Sequence, residues 1–497
     1  MNANPASTAA SRPLSKSFVK TLLKPALTAI AAAALAACAV GPDYKAPELP
    51  TAKADAEMDA SLYSAETPPT QFWSTFGDAK LDSLEARALG ANHDLRIALA
   101  NLNQARALRR EAFLDYLPTV TANAGYAKAQ QSTDQLPGYT RDARKTELYD
   151  AGFDAFWELD LFGRVRRENE ASRANEQALT ADLRAAQLSV AAEVARTYFE
   201  LRGAQTRLAV ALRNADNQLG TLNYTEARLT YGRGTELDHE RAKAQLSATR
   251  ARVPDLKIAV ANAEHRLSVL SGLEPTALHE ELTQPEDLPP LPRLVQIGKP
   301  EDLLRRRPDV ASAERQLAAS TAGIGIATAD YFPRVTFVGE AGFSVAHLSS
   351  VGDGGSEAYS FGPSITWAAF DLGRVSARVA QRRASTDAAL ARYEQSVLRA
   401  LEETSNTLVA YGQNRRKLDL LDDSAQSSGR AVQLARVRFE AGAADFIDVL
   451  DAERSQLDAE DQLAQARTQT ATTLVALYKS LGGGWNDAQP TAVSRKD

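Results

Sequence analysis

Apolar and polar positions alternate along this chain with two different periods. From Arg164 to Tyr231 and from Arg374 to Ala441 the chain is rich in Ala, Leu, Gln, Glu and Arg and contains no proline. These residues favour the α-helix, and small apolar side chains recur at three- and four-residue spacing, which permits close antiparallel packing. At 1.5 Å per residue each segment predicts one helix of roughly 100 Å, far longer than a globular core requires.

Two further helices are predicted beside the first long helix, from Leu81 to Asp115 and from Glu236 to Ser271. Each is about half as long, so that end to end they match the long helix as an antiparallel wall. Helices alone are compatible with an ordinary coiled-coil rod as well as with the wall of a channel. The remaining segments must decide between the two.

Four segments alternate with period two, which predicts β-strands at 119–127, 148–159, 335–345 and 359–369. One face of each strand is apolar and rich in aromatic side chains. The other face has hydroxyls and carboxylates, the latter from Asp150, Asp154, Glu158 and Glu340. Each segment is about 9–12 residues long, enough for a tilted strand to cross a bilayer. The pattern favours a barrel with lipid outside and an acidic, water-filled lumen, with a soluble sandwich as the alternative.

The number of strands limits how such a barrel could form. Four strands cannot close a membrane barrel, for which about eight are needed, and unpaired edges are not tolerated in lipid. Several chains must therefore share one barrel, and three copies would supply twelve strands. Trp157 and Trp367 lie near the ends of their segments, where aromatic side chains meet a membrane interface.

The chain also contains an internal repeat. Trp157 and Trp367 each precede a Gly-Arg-Val sequence by six residues, an offset of 210 that continues without gaps to residue 272. Upstream the offset is 215, because Asp-Tyr-Leu-Pro at 115–118 matches Asp-Tyr-Phe-Pro at 330–333. A fixed offset of this kind indicates duplicated structure. Each repeat predicts a helix, two strands, a very long helix, a tight turn and a helix.

The first 37 residues predict a secretory signal. Basic residues precede an apolar stretch from Pro25 to Ala36 that is too short for a convincing membrane span. The sequence Leu-Ala-Ala-Cys at 35–38 resembles a bacterial lipobox, in which the cysteine becomes an N-terminus with N-palmitoyl and S-diacylglycerol groups. Cys38 is the only cysteine, so no disulfide forms within the mature chain. Ala39 after it is typical of lipoproteins sorted to the outer membrane.

Composition and charge argue against several other classes of protein. A formal net charge of -6 lacks the basic field of a nucleic-acid-binding protein, and a hydrophobic content of 44% is too high for a disordered chain. After Cys38 no run of about 18 apolar residues predicts a membrane-spanning helix. The five histidines are scattered, and His239-Glu240 lacks the second histidine of a zinc-protease motif. We therefore expect neither an enzyme nor a metal or other cofactor.

Several motifs together resemble the TolC-like outer membrane factor family, and in particular its NodT-type RND efflux lipoproteins. They lie at 38–44 (Cys-Ala-Val-Gly-Pro-Asp-Tyr), 157–164 (Trp-Glu-Leu-Asp-Leu-Phe-Gly-Arg), 297–309, 362–367 and 370–374. The resemblance covers essentially the whole mature chain, although Phe72-Trp73 replaces a pair of tryptophans that is frequent in the family. It implies a membrane α/β fold with two internal repeats per chain. In that fold a homotrimer forms a twelve-stranded β-barrel in the outer membrane of a Gram-negative bacterium, continued by a long periplasmic α-helical barrel.

The same resemblance implies a function and partners. The periplasmic tips would meet a periplasmic adaptor (membrane fusion) protein, which couples the duct to an inner-membrane RND transporter. The duct itself would be a passive exit for small molecules such as drugs. Secreted polypeptides or metal ions are alternative cargoes, and a lipid-anchored coiled-coil protein without a pore is an alternative of a different class.

The repeats and motifs divide the chain into six parts. They are a lipoprotein signal peptide (1–37), an N-terminal extended segment (38–80), a first efflux repeat (81–272, with a β-hairpin at 118–160), a connector (273–308), a second efflux repeat (309–482, with a β-hairpin at 333–371) and a C-terminal tail (483–497). By the resemblance, the extended segment and the connector would build a mixed equatorial region.

The tips of the helical hairpins are the expected contact with the adaptor. They comprise Gly232, Arg233 and Gly234 in the first repeat and Gly442 and Ala443 in the second. Glycine ends a helix readily because it tolerates positive φ, so turn geometry alone also explains these residues.

Aspartates just beyond the tips are the expected periplasmic gate. In TolC-like channels the aspartates that match Asp448 and Asp451 line the narrowest point of the closed entrance, and their spacing places both on one helix face. Asp238 is the repeat equivalent of Asp448. Arg438 lies one turn before the second tip, where it could tether neighbouring hairpins. The alternative for all of these charges is compensation of the helix dipole.

Overall fold

The computed structural model describes residues 39–50, 60–483 and 485. The predicted signal peptide, Cys38 and most of the predicted C-terminal tail lie outside these residues. In the part of the chain that is described, no helix combines the length and the apolar character needed to cross a membrane. The chain forms two compact units. One contains Ala107–Ala174, Ala318–Ala388 and the N-terminal residues up to Lys45, and the other contains Ala46–Arg106, Asn175–Leu317 and the residues from Ala389 onward.

Helices make up most of the described chain. They are α1 (Ala79–Ala91), α2 (His93–Leu114), α3 (Arg164–Thr230), α4 (Glu236–Ala251), α5 (Val253–Leu270), α6 (His279–Leu282), α7 (Pro300–Arg306), α8 (Pro308–Ala329), α9 (Leu372–Glu440) and α10 (Phe446–Ser480). The two long helices expected from the sequence are confirmed as α3 and α9, with 67 and 69 residues. Their ends lie within two residues of the predicted ones.

The two shorter predicted helices are wrong in one respect, because each is broken in the middle. The first breaks at Asn92, whose side-chain oxygen accepts the Asp94 N–H at 2.8 Å and so caps α2. The second breaks at Arg252, since Pro254 follows and proline has no N–H to continue the helical hydrogen bonds. Asn92 also donates to the Leu270 carbonyl at 2.9 Å, which ties the break in one helix to the end of α5.

The four predicted strands are confirmed and form one antiparallel sheet in the order β2-β3-β5-β6. Their bounds are Thr119–Gln130, Lys145–Leu159, Arg334–Val345 and Glu357–Thr366. A separate two-stranded parallel sheet joins β1 (Tyr63–Ser64) to β4 (Val295–Gln296). In the larger sheet β2 and β6 are the outer strands, so each leaves one edge without a partner among the described residues.

The apolar face of the larger sheet is exposed in the single chain. The register pairs Tyr126 with Tyr149, whose rings lie 4.7 Å apart, and continues this apolar face across all four strands. Phe153, Tyr359 and Phe361 on this face are 62%, 74% and 72% exposed. Side chains of this size are normally the core of a soluble sandwich, so their exposure in the described chain argues against that alternative.

The hydrophobic core of the second unit joins segments that are far apart in sequence. Phe72 stacks on Tyr478 of α10 with ring centroids 5.4 Å apart, and Phe76 meets the edge of Phe199 of α3 at 4.8 Å. Val295, from the predicted connector, is fully buried in the same cluster. Residues 63–76 of the predicted extended segment and the connector therefore pack together on the middle of α3 and the end of α10.

Candidate functional sites: the hairpin tips and the polar face of the sheet

The turns at the two hairpin tips have the same geometry. Gly232 and Gly442 adopt φ values of 69° and 72°, in the left-handed region where a side chain is strained. The residue after each glycine donates its N–H to the carbonyl five residues before it. Arg233 donates to Arg228 in the first tip, and Ala443 donates to Arg438 in the second, both at 2.8 Å. This is the Schellman arrangement that satisfies the last carbonyls of a helix.

An arginine closes each of these turns. Arg228 donates from Nη2 to the Arg233 carbonyl at 3.0 Å, and Arg438 donates from Nη2 to the Ala443 carbonyl at 3.3 Å. Both arginines thus bind the turn that follows their own helix, where a positive charge also interacts favourably with the helix dipole. Within one chain the geometry supports the dipole interpretation of Arg438, and the tether between neighbouring hairpins stays a prediction.

The predicted gate aspartates begin the helices that follow the tips. The Asp448 carboxylate accepts a hydrogen bond from the Asp445 N–H at 3.3 Å. The Asp238 carboxylate accepts one from the Thr235 hydroxyl at 2.7 Å, and the Asp238 N–H donates to the oxygen of that hydroxyl at 3.1 Å. Both aspartates are therefore part of helix N-caps. The carboxylates of Asp448 and Asp451 are nevertheless exposed, and they lie one helical turn apart.

An aromatic cluster near the tips joins the two hairpins, and the sequence did not predict it. Phe439 of α9 lies 6.0 Å from the ring of Tyr224 of α3 in an edge-on arrangement, and 5.4 Å from Phe446 of α10. The guanidinium of Arg228 lies over the Phe439 ring, 4.8 Å from its centroid. Of these residues only Arg228 can be singled out from the sequence, as the repeat equivalent of Arg438 at the offset of 210. A Phe and a Tyr on two long helices give no sign that they meet.

A row of acidic residues on α10 also binds arginines of the neighbouring helices. Glu453 is nearly buried, accepts a bond from Arg436 of α9 at 2.7 Å and is bound by the Thr221 hydroxyl of α3 at 2.8 Å. Further along α10 the pairs are Asp458 with Arg252 (3.1 Å), Glu460 with Arg213 (2.7 Å) and Asp461 with Arg207 (2.7 Å). The pair with Arg436 lies within the second hairpin. The other contacts join α10 of the second hairpin to α3 and Arg252 of the first, so they fix the register of one hairpin against the other.

The predicted lumen residues lie on one face of the larger sheet. The register places Asp154 directly opposite Glu340 and continues this row to Thr121 and Ser360, so that one oxygen-bearing side chain comes from every strand. Facing carboxylates on neighbouring strands repel each other and make this face strongly acidic.

The other two predicted lumen carboxylates differ in their surroundings. Asp150 lies on the same face and accepts the Ser344 hydroxyl at 2.7 Å. Glu158, also on this face, is held by Arg164 through two hydrogen bonds of 2.8 Å each, so its charge is balanced locally. Across the described residues no group of three or more His, Cys, Asp or Glu side chains is arranged to hold a metal ion.

The two tryptophans at the strand ends occupy equivalent positions in the repeats. The indole N–H of Trp157 donates to the Tyr116 carbonyl and that of Trp367 donates to the Tyr331 carbonyl, each at 3.0 Å. Both rings stay partly exposed, 37% and 53%. An indole N–H that has a hydrogen-bond partner and a ring that stays partly exposed fit an aromatic side chain at a membrane interface.

Comparison with known proteins gives the same result along most of the chain. The family model described as outer membrane efflux protein matches residues 84–273 and 300–483. The outer membrane protein OprJ of Pseudomonas aeruginosa is 32% identical, over 93% of this chain and 96% of the relative. The toluene efflux pump outer membrane protein TtgI of Pseudomonas putida is 30% identical, over 92% and 97%. The solved outer-membrane channel OprN is 46% identical, with a TM-score of 0.84 over 90% of this chain and 100% of that one.

These relatives confirm the expected resemblance and the expected fold class, in which helical hairpins and a β-sheet domain form an outer-membrane channel. They also confirm the expected function: the protein is the outer-membrane channel component of an efflux system. The family match and the extent of the identity settle the assignment. The chain belongs to the outer membrane efflux protein family.

Proposed function

We propose that three copies of the chain form the exit duct of a tripartite RND-type efflux pump. The observation that carries the proposal is the pair of open edges on β2 and β6. Every pair of neighbouring strands in the sheet is antiparallel. The strand β6 of one copy can therefore pair with β2 of the next copy and continue the alternation of strand directions. Three copies of the four-stranded sheet give twelve strands, enough to close a barrel without free edges.

The helices offer a second, matching pair of surfaces. Leu398, Leu420 and Leu434 of α9 are each more than 60% exposed. Ile97 of α2, Leu237 of α4 and Ile258 of α5 are exposed to a similar extent. If these side chains meet the leucines of α9 across neighbouring copies, the contacts are head-to-tail, and they generate a ring when the rotation between copies divides a full turn. A homotrimer would bury both surfaces in every copy.

Light scattering and conductance test the duct directly. The mature protein, purified in detergent, should have the mass of three chains and should insert pores of uniform conductance into planar bilayers. A stable monomer that produces no pores would refute the proposed duct.

We further propose that Cys38 anchors the channel to the outer membrane through N-palmitoyl and S-diacylglycerol groups. The lipobox-like sequence at 35–38 supports this modification. Mass spectrometry of the mature N-terminal peptide should find the mass of the lipid, and a Cys38→Ser chain should accumulate with its signal attached. An unmodified, cleaved N-terminus would contradict the anchor.

For the cargo we propose small organic molecules such as drugs. The relatives are named for toluene, antibiotic and pyoverdine export, and these substances share little beyond being small organic molecules. A passive duct of this kind needs no site specific for one of them. Deletion of the gene should increase susceptibility to drugs, dyes or solvents. Increased susceptibility to metal ions alone, or loss of a secreted polypeptide, would favour the alternative cargoes.

We also propose that the hairpin tips are the periplasmic end of the duct. Gly232, Arg233, Gly234, Gly442 and Ala443 would dock the adaptor that leads to the inner-membrane RND transporter. These residues form two turns of the same geometry, as a repeated contact with one partner requires. Arg233→Glu should weaken capture of the adaptor, and binding equal to that of the native chain would exclude this residue from the contact.

The gate proposal rests on Asp448 and Asp451. Their exposed carboxylates lie one turn apart, so three copies would form two stacked acidic rings, an arrangement that favours cations in a pore. Asp238 and Arg438 would support the gate from the turns beside it.

The gate is tested by changing both aspartates to asparagine, which removes the charge but can still cap the helix. Block of the pore by multivalent cations added from the periplasmic side should weaken at least tenfold. Glu440→Gln, which removes an exposed charge on the other side of the same turn, is the matched control and should leave the block unchanged. Equal block in the double variant and the native channel would refute the gate assignment.

A further inference from the structure

The first described residues of the chain are held in place by specific contacts, most of them with Arg167. The side chain of Arg167, in the first turns of α3, is only 5% exposed. Its Nε donates to the Val40 carbonyl at 3.2 Å, and its Nη2 donates to the Ala39 and Gly41 carbonyls at 3.4 and 3.3 Å. The same Nη2 lies 2.7 Å from the carboxylate of Asp43. One buried guanidinium thus binds three successive carbonyls and an acidic side chain of residues 39–43, which we call the N-terminal segment.

Close backbone contacts complete the site. Gly41 has a φ of 91°, and a Cβ on it would lie 2.5 Å from the Cα of Gly325 in α8. A Cβ on Gly325 would in turn lie 2.7 Å from the Arg167 side chain. The Val40 N–H donates to the Phe162 carbonyl, in the turn between β3 and α3, at 3.1 Å. A side chain at position 41 would therefore push the N-terminal segment away from α8, and a side chain at position 325 would displace Arg167.

The internal repeat provides a built-in comparison, because the site exists only once. At the offset of 210, Arg167 corresponds to Ala377, and at the offset of 215 Gly325 corresponds to Arg110. The second junction between strand and long helix therefore forms without the arginine and without the glycine. Arg167 and Gly325 are not required to build such a junction. Arg167 pairs with Glu170 of its own helix at 2.8 Å, and its other polar contacts described above are with the N-terminal segment.

We infer that Arg167 is the positioning residue of a docking site for the lipid-bearing N-terminus. The inference rests on the proposed modification of Cys38, which is bonded directly to Ala39. If residues 38–45 were not docked, the lipid on Cys38 could lie up to roughly 25 Å from Lys45. Docking removes that freedom and holds Ala39 beside the turn that follows β3. The acyl chains then enter the membrane beside the end of the sheet and not at the end of a loose tether.

Amide hydrogen exchange of the mature protein in lipid nanodiscs tests the docking. The peptide that covers residues 39–45 should exchange at least tenfold more slowly in the native chain than in Arg167→Ala, because the variant loses every bond that this side chain makes to the segment. Arg167→Lys should give an intermediate rate, since an ammonium group can still pair with Asp43 but lacks the fork that spans the carbonyls. Gly41→Ala should resemble Arg167→Ala.

Arg164→Ala is the matched control. Arg164 lies one turn earlier in the same helix and binds Glu158 and Glu168, so exchange in residues 39–45 should stay at the native rate. Peptides of β3 and α8 should exchange alike in the native chain and in Arg167→Ala, which separates positioning of the segment from a general loss of structure. Exchange of residues 39–45 that differs less than twofold between the native chain and Arg167→Ala would overturn the inference.

A chain secreted through a signal peptide without a lipobox, and therefore without lipid, separates this inference from the proposed anchor. Its residues 39–45 should stay protected, because protein contacts alone form the site. Protection that disappears together with the lipid would show that the lipid holds the segment, and would overturn the role of Arg167. The exchange measurement does not depend on whether the protein forms a pore. A protein that fails to conduct would therefore refute the proposed duct without affecting the test of Arg167.

Discussion

Phe439 is the residue through which the aromatic cluster joins the two hairpins of one chain. The change Phe439→Ala removes the ring that lies 4.8 Å from the Arg228 guanidinium and 6.0 Å from the Tyr224 ring. Both of these partners belong to α3, in the first hairpin. The contact with Phe446, by contrast, lies within the second hairpin.

The magnitude follows from the two contacts between hairpins. A cation–π pair at a partly exposed site contributes about 0.5–1 kcal/mol, and an edge-on aromatic pair contributes about 0.5–1.5 kcal/mol. Together they couple the hairpins by about 2 kcal/mol per chain. We predict that opening of the tips separates these hairpins, and the variant should then favour the open state by roughly thirtyfold per chain.

Single-channel recording measures this directly, as the open probability of the purified channel in planar bilayers. The matched comparison is between Arg228→Ala and Arg438→Ala. Each loses a bond to the carbonyl of its own tip, but only Arg228 lies over the Phe439 ring. Arg228→Ala should therefore raise the open probability more than Arg438→Ala does. An open probability within twofold of the native value in Phe439→Ala, together with a lower melting temperature, would show that the cluster stabilises the fold without holding the tips closed.

Three further predictions concern stability, measured as the melting temperature of the purified protein in detergent. Gly442→Ala should destabilise the fold by about 1 kcal/mol because of its positive φ, whereas Gly234→Ala should be neutral, since the second repeat already has alanine at the equivalent position. Burial raises the pKa of Glu85 well above its usual value, so the folded chain loses stability as pH rises from about 4.3 towards that raised pKa. Glu85→Gln should therefore raise the melting temperature at pH 7 and have little effect below about pH 4. A lower melting temperature of the variant at pH 7 would refute the raised pKa of Glu85. Trp157→Phe should cost about 1 kcal/mol by leaving the Tyr116 carbonyl without its indole donor, and an unchanged melting temperature would mean that water replaces it.

The regular elements could be predicted from the sequence because each has a period that only one structure satisfies. Alternation with period two located all four strands of the sheet, and the absence of proline located both long helices. The breaks at Asn92 and Arg252 were missed because a helix pattern continues through them. At Asn92 the decisive contact is the bond to Leu270, about 180 residues away in sequence. At Arg252 the signal was present in Pro254, which cannot continue a helix.

The candidate sites also differ in whether they depend on contacts that are local in sequence. The tip glycines depend on local hydrogen bonds, so the sequence was enough to single them out. Asp448 was singled out through the family resemblance and Asp238 through the repeat, and their part in the helix caps became visible only in the structure. The acidic row on α10 was not recognised, because a carboxylate such as Glu453 cannot be distinguished from a solvated one until its partners are known. Those partners, Arg436 and Thr221, lie on two other helices.

The repeats differ where the two halves of the chain are proposed to have different tasks. Both tips use the same turn, but the first hairpin has Arg241 at the position where the second has Asp451. Both strand-to-helix junctions have the same tryptophan bond, but only the first has the buried arginine that binds the N-terminal segment. Duplication accounts for the features that the halves share, since a folded junction and a closed turn are needed twice. The differences need a separate cause, and the proposed lipid anchor at one junction together with the proposed pair of gate aspartates at one tip would supply it.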